Sequence, residues 1–259
     1  MELFDSHAHY NDEKFEQDRE KILEKIYQSG VTRLICAGYS IEASEFAVKL
    51  AKEYSFIYSI VGVSPNDIVE SEKEQEKQLQ TIEKLARENK EKVVAIGEIG
   101  LDYYWDKENK ANQKEMFQKQ IEIANRLQLP IVIHCREAVI DTLEILKQNP
   151  VEKKGIFHCC PLNRELVKEA LKLGFYISFA GPITFKNSKN ADEIITMVPN
   201  DKILIETDSP YLSPEPNRGK RNDSTNIIYM AEKIAAVKQM SVQEIAKITY
   251  ENAIKIFQM

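Results

Sequence analysis

No stretch of the 259 residues approaches the roughly 18 uninterrupted apolar positions that a membrane-crossing helix requires, which argues against an α-helical membrane protein. The first residues, Met1-Glu2-Leu3-Phe4-Asp5, lack the basic stretch and apolar core of a secretory signal, so a cytoplasmic location is expected. Cysteine is scarce: Cys36, Cys135, Cys159 and Cys160 form no CxxC pair and lie in apolar runs, so reduced, mostly buried thiols are expected rather than a disulfide framework. Basic surplus is absent too. Lys and Arg total 35 against 41 Asp and Glu, a net charge of -6, which argues against coating nucleic acid through a broad basic surface. A phosphate-handling cleft stays open, because bound cations are the largest charges in such a site. No internal repeat, low-complexity tract or linker divides the chain. One domain over residues 1–259 is expected, and the length suits an α/β barrel of about 250 residues.

What is present is an alternation. Eight short runs rich in β-branched and apolar residues recur: Leu3-Phe4, Thr32–Cys36, Phe56–Val61, Val93–Ile96, Ile131–Ile133, Gly155–Phe157, Phe175–Ser178 and Lys202–Ile205. Continuous apolar runs are the mark of parallel strands covered by helices on the outside. Between them apolar residues return at helical spacing, as with Phe15, Ile22, Leu23 and Ile26, and later at about 74–89, 112–128, 138–148, 163–173, 188–197, 225–238 and 241–257. Eight βα units predict a single (β/α)8 TIM-like barrel. The heavily charged stretch from Glu70 to Lys92 reads as a solvated helix face.

Functional groups of such a barrel gather at the C-terminal ends of its strands. The chain has only four histidines, and each falls at such an end. His7 and His9 follow the first run, His134 ends the fifth and His158 the sixth, while Glu98 follows the fourth and Asp208 the eighth. Residues two apart in extended backbone face one side, which pairs His7 with His9 and puts Asp5 in the same phase. A His-x-His pair alone carries little weight. Joined to two more strand-end histidines and two carboxylates, it points to a divalent-metal site. Glu98 and Asp208 each keep a plainer alternative, a helix N-cap or a solvated loop charge. Gly97 and Gly100 allow close backbone approach around Glu98, and Pro210 favours extended or turn backbone after Asp208. Cys135 and Cys159 adjoin histidines and should point to the opposite strand face.

Taken together, Asp5-Ser6-His7-Ala8-His9, Gly97-Glu98-Ile99-Gly100-Leu101-Asp102-Tyr103, Ile133-His134-Cys135-Arg136, the segment Ser178 to Lys186, Glu206-Thr207-Asp208-Ser209-Pro210-Tyr211-Leu212 and the segment Asn217 to Asn222 resemble the TatD family of metal-dependent deoxyribonucleases, over essentially the whole chain. The resemblance implies two divalent ions per chain, zinc, manganese or magnesium: His7, His9 and Asp208 on one, His134 and His158 on the other, with Glu98 between. It also implies a metal-dependent hydrolase that cleaves DNA in the manner of a 3′–5′ exonuclease, with DNA as partner and neither a membrane nor an obligatory protein partner. Other readings are a small-molecule phosphoesterase, an amidohydrolase-type hydrolase, and a non-catalytic barrel that binds metal or nucleic acid. The sequence departs from the family pattern twice. Ser64-Pro65-Asn66 stands where many members have His-Pro-His, and His158 is followed by Cys159-Cys160-Pro161-Leu162 instead of Cys-Phe-Ser-Gly.

Asp208 and Glu98 are the expected catalytic groups, Asp208 as acceptor of a proton from the attacking water. Arg136, two residues beyond His134, and Arg218, in a basic loop with Lys220 and Arg221, are expected to bind substrate phosphate, a solvated side chain or an ion pair within the protein being the alternative. Tyr103, Tyr104 and Trp105 are expected to pack in the core or rim, with base stacking the alternative. Asp5, Glu206 and Asp102 are candidates for orienting the histidines.

Overall fold

The eight runs become one parallel sheet in the order β1 to β8 in the computed structural model, which describes residues 1–259. The strands are β1 (Leu3–Ala8), β2 (Val31–Ala37), β3 (Ile57–Val61), β4 (Val93–Asp102), β5 (Ile131–Arg136), β6 (Gly155–Phe157), β7 (Tyr176–Phe179) and β8 (Ile203–Ile205). Around them run α1 (Arg19–Gln28), α2 (Ile41–Glu53), α3 (Glu72–Glu88), α4 (Lys110–Leu127), α5 (Val139–Gln148), α6 (Arg164–Lys172), α7 (Ala191–Met197), α8 (Ile227–Lys238) and α9 (Val242–Phe257). This is the TIM-like barrel. None of its helices is long and apolar enough to cross a membrane.

Every residue of β1 and β4 is buried, as expected for strands packed on both faces. Phe4, Ile35, Ile60, Ala95, Val132, Ile156, Tyr176 and Leu204, one from each strand, share an interior cluster with Ile256 and Phe257 of α9. Phe257 stacks on Phe4 at 6.0 Å between ring centroids. α9 starts with a capping box: the Ser241 side chain accepts from Glu244 N at 3.2 Å, and Glu244 Oε2 accepts from Ser241 N at 2.8 Å. Losing such a cap costs roughly 1 kcal/mol.

No ladder joins β8 to β1; other hydrogen bonds hold that seam. Asp208 N donates to His7 O at 2.9 Å, His9 N donates to Ser209 O at 2.6 Å, and Ser6 Oγ donates to Ile205 O at 2.9 Å. The Asp5 carboxylate accepts from Thr207 N at 3.0 Å and from the hydroxyls of Thr207 and Ser224.

Of the register shifts along the sheet, two fall beside the candidate site and alter the simple alternation there. Between Asp5 and Ala8, β1 advances three residues while β2 advances two, from Leu34 to Cys36; between Ile96 and Ile99, β4 does the same against Ile131 and Ile133 of β5. An extra residue in one strand re-aims the side chains beside it. Phe4 therefore lies in the interior cluster and Asp5 reaches to Thr207 and Ser224, while His7 turns to the site. The expected shared phase of Asp5 and His7 is thus corrected by the bulge. Glu98 likewise does not follow its strand: β4 continues to Asp102, paired with Arg136, so Glu98 sits inside it. Gly97 and Gly100 permit this. A Cβ on Gly97 would stand 2.7 Å from Val132 Cβ, and Gly100, at φ 144°, would place one 2.0 Å from His134 O.

Candidate metal centre

The six side chains singled out in the sequence converge at the C-terminal mouth of the barrel. The shift in β4 between Ile96 and Ile99 brings the Glu98 carboxylate into the middle of the four histidines. Its Oε2 lies 3.4 Å from His7 Nε2 and 3.7 Å from His9 Nε2; its Oε1 lies 2.8 Å from His134 Nδ1 and 3.2 Å from His158 Nε2. Asp208 Oδ1 completes the first set, 3.2 Å from His9 Nε2 and 3.8 Å from His7 Nε2. Asp208 has a left-handed backbone, φ 54°, a region that Asp visits more readily than most residues, and its N–H is held by His7 O. Asn222, fully buried, fixes the same turn by donating to Thr207 O at 2.9 Å and Tyr211 O at 2.7 Å.

The far sides of the rings differ. His134 Nε2 lies 2.9 Å from Asp102 Oδ2, and His158 Nδ1 lies 3.4 Å from Glu206 Oε1, which also accepts from Cys159 N at 2.6 Å. His9 Nδ1 lies 3.2 Å from the main-chain oxygen of Ala37. His7 Nδ1 is buried with no hydrogen-bond partner, and its ring stacks on His158 at 4.0 Å. Asp102 and Glu206 thus take the bracing positions expected of them, and Asp5 touches no imidazole.

Burial would raise the Glu98 carboxyl, but His158, His134 and His7 hold it well below the usual carboxylate range. Burial likewise opposes the ionised Asp208, but the hydrogen bond with His9 and the charges of His9, His7 and His158 together outweigh it, so its pKa is lowered. Burial pulls His158 down, but Glu98 and Glu206 lift it well above an ordinary imidazole. Asp102 and Glu98 lift His134 against burial, and Asp208 lifts His9. His7 goes the other way, lowered by burial and by His158.

Donor chemistry fits a divalent cation. His7 Nε2 and His9 Nε2 are 3.2 Å apart, and His134 Nδ1 and His158 Nε2 are 3.3 Å apart, so in each pair two ring nitrogens aim into one space beside a carboxylate. Donor atoms of His7, His9 and Asp208, and of His7, Glu98 and His158, lie within 4.8 Å of one another. Neutral imidazoles and carboxylates set this way are ligands of borderline and hard divalent ions.

Around the mouth the expectations divide. Arg136 and Arg218 are exposed and neither forms an ion pair; Arg136 lies over the Tyr104 ring at 4.0 Å and Arg218 over the Phe185 ring at 4.2 Å. Arg221 is engaged elsewhere, with both Asp18 oxygens at 2.9 and 2.6 Å. Tyr103 is buried with its hydroxyl on Asp141, while Tyr104 and Trp105 are 46% and 68% exposed. Cys135 turns away, within 3.5 Å of Thr142 Oγ1, as expected. Cys159 does not: its backbone is left-handed, φ 36°, and burial together with the charges of Asp208 and Glu206 pushes its thiol far up, so it lies at the site as a neutral group. Strand alternation fails there because the chain has already left β6. Asn66 entered the sequence reading only as a departure from the His-Pro-His of the family pattern. It donates to Asp102 Oδ2 at 3.4 Å.

The sequence model of the TatD related DNase family matches residues 4–258. YabD of Bacillus subtilis (strain 168), called an uncharacterized metal-dependent hydrolase, is 44% identical over 99% of both chains. YcfH of Escherichia coli (strain K12), named in the same way, is 36% identical over 99% of this chain and 96% of its own. The crystal structure of YJJV, a TatD homolog from Escherichia coli K12, superposes with a TM-score of 0.93 at 24% identity, over 99% of this chain and 98% of that one, and so shares the fold. Matched along nearly its whole length, this chain belongs to the TatD related DNase family.

Proposed function

We propose that this chain is a divalent-metal-dependent phosphodiesterase that removes nucleotides from the 3′ end of single-stranded DNA. The observation that carries the reading is the Glu98 carboxylate, with Oε2 toward His7 and His9 and Oε1 toward His134 and His158. One carboxylate serving two donor sets is the arrangement for two neighbouring cations. His7, His9 and Asp208 would hold one and His134 and His158 the other, with Glu98 shared. The curated relatives, named metal-dependent hydrolases, support hydrolysis, and the family description supports DNA as the substrate.

Cations bound there supply Lewis acidity and lower the pKa of water. Asp208, kept ionised by His9 and with 14% of its side chain open to solvent, accepts the proton of the attacking water. As the water oxygen bonds to phosphorus, the bond from phosphorus to the 3′ oxygen of the shortened strand breaks; that oxygen takes a proton from solvent to become a 3′ hydroxyl, and a 5′ mononucleotide is released. Arg136 and Arg218 face solvent without an acidic partner and grip the phosphate through paired N–H donors. Buried walls around Glu98, His7 and His158 exclude bulk water and strengthen these interactions.

The test is chelation followed by return of zinc, manganese or magnesium, with end-labelled single-stranded DNA, small phosphoesters, carboxylic esters and amides as substrates. Shortening from the 3′ end, restored by metal, supports the reading. Turnover confined to small phosphoesters or to amides would move the substrate class, and metal uptake with no turnover on any of them would make the barrel a binding protein. Asp208→Asn should lower kcat by about 10²- to 10⁴-fold with the circular dichroism spectrum retained. Full activity in that variant removes the proton-acceptor role.

A further inference from the structure

Trp105 is the only tryptophan in the chain, and 68% of it is exposed beside the candidate metal centre. The loop that carries Trp105 is tied down by hydrogen bonds. Asp102 Oδ1 accepts from Tyr104 N at 2.9 Å and from Trp105 N at 3.0 Å, while Asp102 Oδ2 faces His134 Nε2 at 2.9 Å. Buried Gln113 donates to Asp102 O at 3.1 Å and Asp106 O at 3.0 Å, closing the loop from beneath. The carboxylate that braces a metal-facing histidine therefore also fixes the backbone that presents Trp105.

The Arg136 guanidinium lies 4.0 Å from the centroid of Tyr104 and 5.6 Å from that of Trp105, and the two rings meet edge to face at 4.9 Å. Arg136 is two residues beyond His134 on β5, on the same side of the strand. A positive group, two exposed aromatic rings and a rigid loop thus stand together at the mouth. Stacking on an aromatic face tolerates any base, because every base has a π-face, and a nearby cation engages the adjoining phosphate.

We propose that Trp105 and Tyr104, backed by Arg136, form a stacking platform for an unpaired nucleobase of the DNA strand whose phosphodiester enters the metal centre. The proposal rests on the nuclease reading for its ligand and adds a position that discriminates single-stranded, base-bearing substrates. A base within a duplex has both faces occupied and cannot use the platform without unstacking.

Because Trp105 is the sole indole, intrinsic tryptophan fluorescence reads this position alone. The experiment titrates metal-loaded Asp208→Asn protein with a single-stranded oligodeoxynucleotide, with its duplex, and with an oligomer of the same length built from abasic nucleotides. In parallel, kcat/KM of the parent, Trp105→Ala and Trp105→Phe is measured on the base-bearing and abasic strands. Saturable quenching by the single strand, weaker for the abasic oligomer and the duplex, is expected. The preference for the base-bearing strand should fall about tenfold in Trp105→Ala and return to within about twofold of the parent in Trp105→Phe. Equal quenching by the abasic oligomer, or turnover of DNA with no quenching and an unaltered preference in Trp105→Ala, overturns the platform and leaves the nuclease reading intact. Base-dependent quenching in a protein that hydrolyses no DNA under any metal supports the platform and removes the nuclease reading instead.

Discussion

His134 stands on β5 and His158 just past the end of β6, two strands paired in regular register, and each faces a carboxylate; His7 and His9 stand on and beyond a bulged strand at the barrel seam, and lean on a main-chain oxygen or on nothing. On the first side a carboxylate stands behind each ring, hydrogen-bonded to His134 Nε2 at 2.9 Å and facing His158 Nδ1 as a charge at 3.4 Å, and a carboxylate behind an imidazole makes it a better electron donor. On the second side the backbone fixes the ring: the extra residue in β1, the Asp208–His7 main-chain bond across the seam, and the stack of His7 on His158 at 4.0 Å. One side can be weakened through its neighbours. The other yields only when a ligand or the backbone itself is changed.

Glu98→Ala breaks the comparison outright, because Glu98 is the group common to both sides. Loss of the shared carboxylate should lower metal-replete turnover by roughly a thousandfold or more, as expected when several kcal/mol of transition-state charge stabilisation depend on the cations. Elemental analysis of the dialysed variant should show metal depleted from the whole site. A variant with the parent's metal content and rate would mean that the two donor sets work without a shared carboxylate.

Asp102→Asn and Glu206→Gln test the braced side alone. Each should weaken metal affinity by about 10- to 100-fold, the usual effect of removing a carboxylate behind a ligating histidine. Isothermal titration should resolve the loss as one weakened binding step with the other near its parent value. Equal weakening of both steps would show that the two sides do not bind separately.

Proton competition sharpens the same contrast. His9, His134 and His158 have pKa values raised above ordinary imidazole in the metal-free fold, against burial, by Asp208, by Asp102 with Glu98, and by Glu98 with Glu206 respectively; His7 is lowered. A raised pKa means the proton is held to higher pH, so an incoming cation must displace it, and apparent affinity falls as pH drops. By the same sign, these protonated rings stabilise the metal-free fold fully below about pH 6.5, the unfolded value, and that contribution fades as pH rises through the folded values. Binding enthalpies at pH 7 measured in buffers of different ionisation enthalpy should reveal proton release. Enthalpies independent of buffer would contradict it.

The barrel was legible because buried parallel strands must be apolar on both faces, and β1 to β8 each carry that mark in a short run. Regular pairing also announced two of the converging side chains: His134 and His158 follow from simple counting past Val132 and Ile156, both in the interior cluster. Counting failed where the backbone adds a residue. Nothing in Asp5-Ser6-His7 states that the strand slips by one there, because a bulge arises from pairing with β2 and from the seam with β8, contacts far away in sequence. The same holds for Cys159, whose left-handed backbone undoes the alternation that was to turn it away. Asn66 and Gln113 were opaque for a different reason: their role is to hold Asp102 and its loop, and a polar residue acting through another has no signature of its own in sequence.

The smallest effects should come from the two arginines, which touch neither side directly. Arg136 and Arg218 lie over aromatic rings in solvent, where a charge-assisted contact to phosphate is screened and two flexible side chains must be ordered to make it. Arg136→Ala and Arg218→Ala should each raise KM for DNA by about three- to tenfold, with Arg136 the larger because its strand also carries His134. Arg136→Lys keeps the charge but loses the planar fork and the stack over Tyr104, so it should recover little of the loss. Recovery by lysine would make the contribution one of charge alone. If both alanine variants keep the parent KM, phosphate is held by the metal centre without help from the rim, and the difference between the braced and unbraced sides becomes the whole account of substrate binding.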